Sequence, residues 1–482
     1  MKTLGFARPQ KPTNAELAEL ASIDSPLLNA LISLVEKSFT CSHCKRCTRR
    51  CVVLSEPALD IGMVEAEYQR LKGLLAEEQN AAVCQLMHDQ PALYDALRRC
   101  CFCGFCTATC QAHMLAPERM REWRALFMQA DLLPPDESRL VMVDEEWHIF
   151  SAYRAVYGVS YPEFVHLDDL PDAGAVGIDT LFFPGCSLVS YAPGLVRAVG
   201  HWLDACGCKW ALSDACCGSP LMSAGLNERA ERLHSRLLGQ VRAAGITRLV
   251  TACPGCGIEL AEVMADEVEI VPLPELLAAG GAGGASAGGA GAGAGGAGGA
   301  GSAYAGGAGG AGGAGGADAA GTSPQLNGQY CVFDSCNDRW DSRHGSAVRA
   351  ALASALPQGA MVEMEHQASE TLCCGAGGAV PAYDDGLSQQ RVWRVINEAA
   401  ATGAQTLVTV CPTCSYTISQ ALLNAAGAAG ALVPEPASGV DLDCRHYLEI
   451  LFDQPIDWAT VFGQLESMWT GEHSDWLSEV FS

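Results

Sequence analysis

Apolar residues in the first third of the chain recur at i, i+3 and i+4 with polar residues between them. Runs of this kind at Asn14–Ala21, Leu27–Glu36, Met63–Leu75 and Ala92–Arg99 predict helices. Beyond Pro171 the pattern changes. Short apolar runs at Asp179–Phe183 and Thr247–Thr251 alternate with amphipathic stretches at Gly194–Ala205 and Asn227–Ala244. Such alternation predicts βαβ units and a parallel sheet.

The α/β pattern occurs twice. Phe182-Phe183-Pro184-Gly185-Cys186 returns as Val332-Phe333-Asp334-Ser335-Cys336, Ala215-Cys216-Cys217-Gly218 as Leu372-Cys373-Cys374-Gly375, and Cys253-Pro254-Gly255-Cys256 as Cys411-Pro412-Thr413-Cys414. The offsets are 150, 157 and 158 residues, so the chain holds an internal repeat with small insertions. A tract over 278–323, almost pure Gly and Ala, joins the copies and has the composition of a flexible, disordered linker. The reading is a helical unit over 1–145, a first α/β repeat over 170–277, the tract, a second repeat over 324–455 and an amphipathic tail over 456–482.

Composition narrows the function. A net charge of −25 argues against nucleic acid or anionic membrane as the main partner. No apolar leader core and no run of about 18 large apolar residues appears, so a cytoplasmic location is expected. With 24 Cys in 482 residues, a reducing compartment requires a use for thiolates other than disulfides.

Eight of them form two tight runs, Cys41-x2-Cys44-x2-Cys47-x3-Cys51 and Cys100-x2-Cys103-x2-Cys106-x3-Cys110. Three thiolates so spaced wrap one face of a cubane 4Fe–4S cluster, and in two-cluster ferredoxins the fourth Cys ligates the other cluster. The spacing therefore assigns Cys41, Cys44, Cys47 and Cys110 to one cubane, and Cys100, Cys103, Cys106 and Cys51 to the other. Lys45, Arg46, Arg49 and Arg50 lie among the first run, where cations raise a cluster's potential. Neither run ends in the familiar Cys-Pro: Val52 follows Cys51 and Gln111 follows Cys110. Cys-x2-Cys pairs also bind zinc, and a pair of zinc sites is the alternative.

Each α/β repeat carries five more. Cys186, Cys216, Cys217, Cys253 and Cys256 form the first set, and Cys336, Cys373, Cys374, Cys411 and Cys414 the second. Most are expected at the carboxyl ends of strands, where α/β folds build sites. Pro254 and Pro412 suit the first turn of a following helix. The repeated Cys, Cys-Cys-Gly, Cys-Pro-x-Cys pattern resembles the CCG domains of heterodisulfide reductase, and the whole arrangement resembles the D-type, disulfide-reducing component of that family. It is also similar to the iron–sulfur subunits of anaerobic glycerol-3-phosphate dehydrogenase and glycolate oxidase.

The resemblance implies an α + α/β fold: a helical two-cluster ferredoxin domain followed by two tandem CCG repeats. It implies two further 4Fe–4S clusters of noncubane type on the ten repeat cysteines, which act as the catalytic set. The first spacing, 29 residues between Cys186 and Cys216 against 36 between Cys336 and Cys373, leaves the cluster type of the first repeat open. The implied activity is that of an iron–sulfur oxidoreductase reducing a small disulfide, with a membrane cytochrome b-type subunit or a flavoprotein dehydrogenase as partner and peripheral membrane placement through it. The alternative is an electron-transfer subunit linking a flavoprotein dehydrogenase to quinone.

The remaining features have plainer readings. Cys84, Cys101, Cys206, Cys208, Cys331 and Cys444 lie off the motifs and read as core thiols. His113, His366 and His446 read as satisfied histidines, with proton delivery to a leaving thiolate as the alternative. Gly375-Ala376-Gly377-Gly378 lacks the strand–helix context of a nucleotide loop. Asp144-Glu145-Glu146 reads as solvated surface. Trp458, Phe462, Leu465 and Trp469 make an aromatic stripe that packs on its own domain or on a partner.

Overall fold

The computed structural model describes residues 41–56, 58–76, 85, 88–89, 91–112, 114, 116–129, 139–170, 177–280, 328–427 and 441–481. The helices expected at Asn14–Ala21 and Leu27–Glu36, along with Cys84 and His113, lie outside the described residues, as does the Gly/Ala tract beyond its first three residues. Those three end the helix Leu273–Gly280, so the ordered repeat runs slightly past the expected boundary.

Each repeat forms a four-stranded, all-parallel sheet. The first contains β1 (Thr180–Phe183), β2 (Trp210–Leu212), β3 (Arg248–Thr251) and β4 (Glu269–Pro272), in the order β2-β1-β3-β4. The second contains β5 (Tyr330–Phe333), β6 (Met361–Val362), β7 (Thr406–Thr409) and β8 (Asp443–His446), in the order β6-β5-β7-β8. Thr180 pairs with Trp210 and Arg248, and Tyr330 with Met361 and Thr406. The direction of winding reverses between β1 and β3, and again between β5 and β7. Doubly wound sheets open a crevice at such a reversal, beyond the carboxyl ends of the strands.

Strand alternation explains how the repeats join. Phe182, Leu212 and Val250 point to one face, and Leu181, Phe183, Ala211 and Leu249 to the other. Tyr330, Val332 and Val408 divide in the same way from Cys331, Phe333 and Leu407. The first faces of both sheets bury into one shared core. It is filled by Val196 and Val199 of the helix Pro193–Ala205, Leu277, Val348 and Leu352 of the helix Arg343–Ala355, and Leu448. Arg343 caps this seam by donating to Glu275 at 2.6 and 2.9 Å. Cys331 and Cys444 belong to the outer core of the second repeat, where burial pushes the Cys331 thiol up to about 11. Their reading as core thiols holds.

The first unit is helical, with Ile61–Ala76 packed on Ala116–Gln129. Two buried arginines dock its second Cys run onto the repeats. Arg124 donates to the carbonyls of Arg98, Cys100, Ser223 and Gly378 at 2.7–3.1 Å. Arg339 donates to those of Cys103, Ser369 and Thr371. Gly377 and Gly378 lie directly under the carbonyls of Cys101 and Cys100, with no space for a Cβ, and Gly378 has φ +67°. The glycine string after Cys374 is thus a docking surface for the Cys100–Cys103 backbone.

Asp144 and Glu145 are not free surface. Arg229 holds Asp144 at 2.7 Å and Glu145 at 2.8 Å, because the turn that carries them folds onto the helix Asn227–Ala243. The aromatic stripe packs on its own chain: Trp458 stacks on Phe462, and both surround Tyr416. The helix Ile149–Tyr157, between the expected units, seats this C-terminal helix through Tyr157 Oη to the Gln464 carbonyl at 2.6 Å. Among the described residues no helix is long and apolar enough to cross a membrane.

A methyl group at Gly378 collides with the Cys100 carbonyl and adds left-handed strain of about 1–3 kcal/mol. Gly378→Ala is therefore expected to lower the thermal midpoint of the protein, whereas Gly239→Ala, in open space on a helix, leaves it unchanged or raises it. Equal midpoints for the two variants would contradict the docking role.

Candidate metal centres

The first cavity of the helical unit is lined by Cys41, Cys44, Cys47 and Cys110, with Lys45, Arg46, Asp60, Ile61 and Gln111 around them. The second is lined by Cys51, Cys100, Cys103 and Cys106, with Cys101, Phe102, Phe105, Cys373 and Arg391. Each gathers three cysteines of one run and the last of the other, the grouping expected from the spacing. The second cavity has a volume of about 290 Å³, room for a group much larger than a single ion.

The two runs share a backbone conformation. His43 and Lys45 flank Cys44 at φ +51° and +60°; Phe102 and Gly104 flank Cys103 at +54° and +72°. Left-handed non-Gly residues cost about 1–3 kcal/mol each and persist where the surroundings fix them at functional sites. The turns aim amides at sulfur: His43 N–H donates to Cys41 Sγ at 3.3 Å and Phe102 N–H to Cys100 Sγ at 3.4 Å. Gly62 has no room for a Cβ because Cys41 Sγ fills that space. Of the basic residues in the first run, Lys45 pairs with buried Asp60 at 2.7 Å, while Arg50 lies over Phe105 on the second cavity.

In the repeats the ten cysteines cluster at the carboxyl edges of the sheets. Cys186 opens the helix Cys186–Tyr191 after β1, and Cys253 caps the helix Pro254–Met264 after β3, with Cys256 in its first turn. Cys216 and Cys217 follow β2. Gly185, at φ +90°, leaves space that Cys256 Sγ approaches. In the second repeat Cys336 follows β5, Cys411 directly precedes the helix Pro412–Gly427, and Cys374 lies 3.3 Å from Cys414, sulfur to sulfur.

These thiols form a nearly continuous array. The neighbouring thiols of Cys216 and Cys256 hold the Cys217 thiol well below the ordinary range. Cys411 is held low by Cys253, across the seam between the repeats, and by Cys414. Cys373 is held low by Cys101, Cys103 and Cys336, so it joins the second repeat to the helical unit. Closely grouped cysteine sulfurs at helix N-termini form a donor set suited to a soft, thiophilic metal group.

Comparison with known proteins agrees with this geometry. The cysteine-rich CCG domain matches residues 180–261 and 330–419, one copy on each parallel sheet. The chain thus carries two copies of the cysteine-rich CCG domain. It is 24% identical over half of its length to an uncharacterized iron–sulfur protein of Methanococcus maripaludis, of which the match spans 41%. It is 21% identical over 67% of its length to the D-type component of the dihydromethanophenazine:CoB–CoM heterodisulfide reductase of Methanosarcina barkeri, spanning 73% of that protein. An uncharacterized iron–sulfur protein of Methanocaldococcus jannaschii is 21% identical over 69% of the chain and is spanned over 58%.

Several polar groups of the chain near the array carry no sequence signal. His344, in the first turn of Arg343–Ala355, and Tyr447, next to His446, are buried. His344 Nε2, both ring nitrogens of His446, the Tyr447 hydroxyl and Thr251 Oγ1 have no hydrogen-bond partner among the described residues. Burial keeps both imidazoles neutral, down to about 4 for His446 and about 3 for His344. His366 is a satisfied histidine: it pairs with Glu398 at 2.8 Å.

Burial also pushes the Glu449 carboxyl up to about 7, against the two amides it accepts, His446 N–H at 2.6 Å and Ile456 N–H at 2.8 Å. A carboxyl whose folded value lies above its unfolded value stabilises the fold at acid pH, and this contribution is lost as pH rises from 4.5 through about 7. The urea midpoint is expected to fall between about pH 5.5 and 7.5, and to fall less in Glu449→Gln. Parallel pH profiles for the two proteins would refute this.

Proposed function

We propose that the chain is an iron–sulfur oxidoreductase subunit of the heterodisulfide reductase type. Cys41, Cys44, Cys47 and Cys110 hold one cubane 4Fe–4S cluster, and Cys51, Cys100, Cys103 and Cys106 a second. The repeat sets, Cys186, Cys216, Cys217, Cys253 and Cys256, and Cys336, Cys373, Cys374, Cys411 and Cys414, hold two further 4Fe–4S clusters, that of the second repeat of noncubane type and that of the first of either type. The single observation that carries the reading is the pair of left-handed turns around Cys44 and Cys103, which aim amides at cysteine sulfur in two cavities that exchange their fourth thiol. A tetrahedral zinc site needs no such strained cradle and no second cavity of this size.

Bound there, such clusters supply one-electron transfer. The chain's own residues set the conditions for it. Amides of His43 and Phe102 donate to sulfur and stabilise negative charge on the ligands. The helices that begin at Cys186, Pro254 and Pro412 turn their positive ends toward the repeat thiols. Apolar walls from Leu221, Leu372 and Val380 limit water in the surroundings. The proposed net reaction is disulfide plus two electrons and two protons to two thiols, with electrons arriving by way of the helical unit from a cytochrome b-type or flavoprotein partner.

The test begins with iron and sulfide content and EPR spectra of anaerobically purified full-length protein. Cys110→Ser is expected to abolish or alter the signal of the first cavity alone, and Cys51→Ser that of the second alone. The reverse assignment would overturn the exchanged ligation, and a colourless protein holding zinc would overturn the whole reading. With reduced viologen and a panel of small disulfides, turnover supports the reductase. A fully loaded protein without turnover, but oxidised by a quinone analogue when a flavoprotein dehydrogenase reduces it, points to the electron-transfer role instead.

A further inference from the structure

Arg391 has thiols for neighbours where the other buried or half-buried arginines have oxygens. Arg99 pairs with Asp384 at 2.7 Å and Glu56 at 2.5 Å, Arg349 with Asp334 at 2.7 Å and Glu363 at 2.8 Å, and Arg124 and Arg339 donate to backbone carbonyls. Arg391 leaves the helix Asp385–Ala401 into the second cavity, and its Nη1 donates to Cys373 Sγ at 3.7 Å. Among the described residues no carboxylate lies within ion-pair distance of it. A cation whose hydrogen-bond partner is a cysteine sulfur, on a cavity lined by five further cysteines, is placed to act on those sulfurs. Guanidinium also keeps its charge at every pH the protein meets.

The position of this charge is equally specific. The sulfurs that act on it belong to two sets: Cys51 and Cys103 line the cavity of the helical unit, and Cys373 belongs to the second repeat. Cys101, outside both sets, is buried between them, with its thiol against Cys373 and 3.6 Å from the Gly375 carbonyl. The first repeat offers nothing comparable. There the matching helix, Asn227–Ala243, presents His234 to the Cys217 carbonyl at 2.8 Å, and the thiols that act on Cys217 come from its own repeat.

We propose that Arg391 is a positioning residue whose fixed charge is shared between the Cys51–Cys100–Cys103–Cys106 cavity and the Cys373 set, raising the reduction potential of both and making the second repeat the one that exchanges electrons with the helical unit. This rests on the iron–sulfur reading above. A cation next to a cluster favours the more negative, reduced state, as do hydrogen bonds to its sulfurs. Loss of the charge makes reduction harder at both sites and leaves the Cys41–Cys44–Cys47–Cys110 site, whose cavity Arg391 does not line, unchanged.

The test is an anaerobic redox titration of the full-length protein followed by EPR, with signals assigned through Cys51→Ser and Cys110→Ser. In Arg391→Met the reduced-to-oxidised ratio of the second-cavity signal at a fixed potential is expected to fall by about tenfold, about 59 mV for a one-electron couple. The first-cavity signal is expected not to move. Arg391→Lys, which keeps the charge but loses the planar fork, is expected to retain most of the wild-type value. It also serves if the Met variant does not accumulate: its midpoint must then lie at or slightly below that of the wild type. An unmoved second-cavity signal in Arg391→Met, an equal shift of both signals, or a Lys variant displaced as far as the Met variant overturns the inference. Wild-type protein that carries no iron removes the reading beneath it, which iron analysis distinguishes from a loaded protein whose potentials do not respond.

Discussion

The arrangement of thiols depends on one buried cation. Arg124 cannot lose its charge, and burying a charge costs several kcal/mol unless its donors are met. Its guanidinium lies over the Phe102 ring at 4.5 Å and donates to four carbonyls. Arg98 and Cys100 supply two from the helical unit, Ser223 one from the first repeat and Gly378 one from the second. One guanidinium shared among these carbonyls holds the three segments to one geometry. Arg339 repeats the device from the other side through the Cys103 carbonyl. The cysteines of the second run are placed by these contacts, and the left-handed turn at Phe102 is sustained between them.

Much of this is legible in the sequence where the signal is local or periodic. The strands at Thr180–Phe183 and Arg248–Thr251 and the helix at Asn227–Ala243 coincide almost residue for residue with the apolar pattern. The two sheets follow from the repeat. The exchange of Cys51 and Cys110 between cavities follows from the x2-x2-x3 spacing, even without the usual proline. Long-range pairings leave no such trace. Nothing around Arg124, Arg339 or Arg391 marks those arginines as buried, and Asp144 reads as surface until Arg229 closes on it from 85 residues away. The Gly377-Gly378 pair reads as a failed nucleotide loop because its partner, the Cys100–Cys101 backbone, lies far back in the chain.

The repeats share a strand order but have diverged in use. Glu449 folds back to cap its own chain at His446, whereas its counterpart Glu275 reaches across the seam to Arg343. His234 steadies a backbone carbonyl beside one Cys pair, while Arg391 brings a charge to the other. The first repeat keeps three paired residues at its outer strand and the second only two. Duplication thus supplied two similar scaffolds, and the helical unit settled with its second Cys run against one of them.

The shared core has a consequence for the covalent chain. Leu277 and Val348, on opposite sides of the Gly/Ala tract, already lie in one hydrophobic cluster with both sheets. The tract is therefore not what holds the repeats in register. Any covalent connection between two halves adds a local concentration, an effect that weakens only gradually with its length. The contacts that join the halves thus lie in folded residues of both repeats, outside the connection itself.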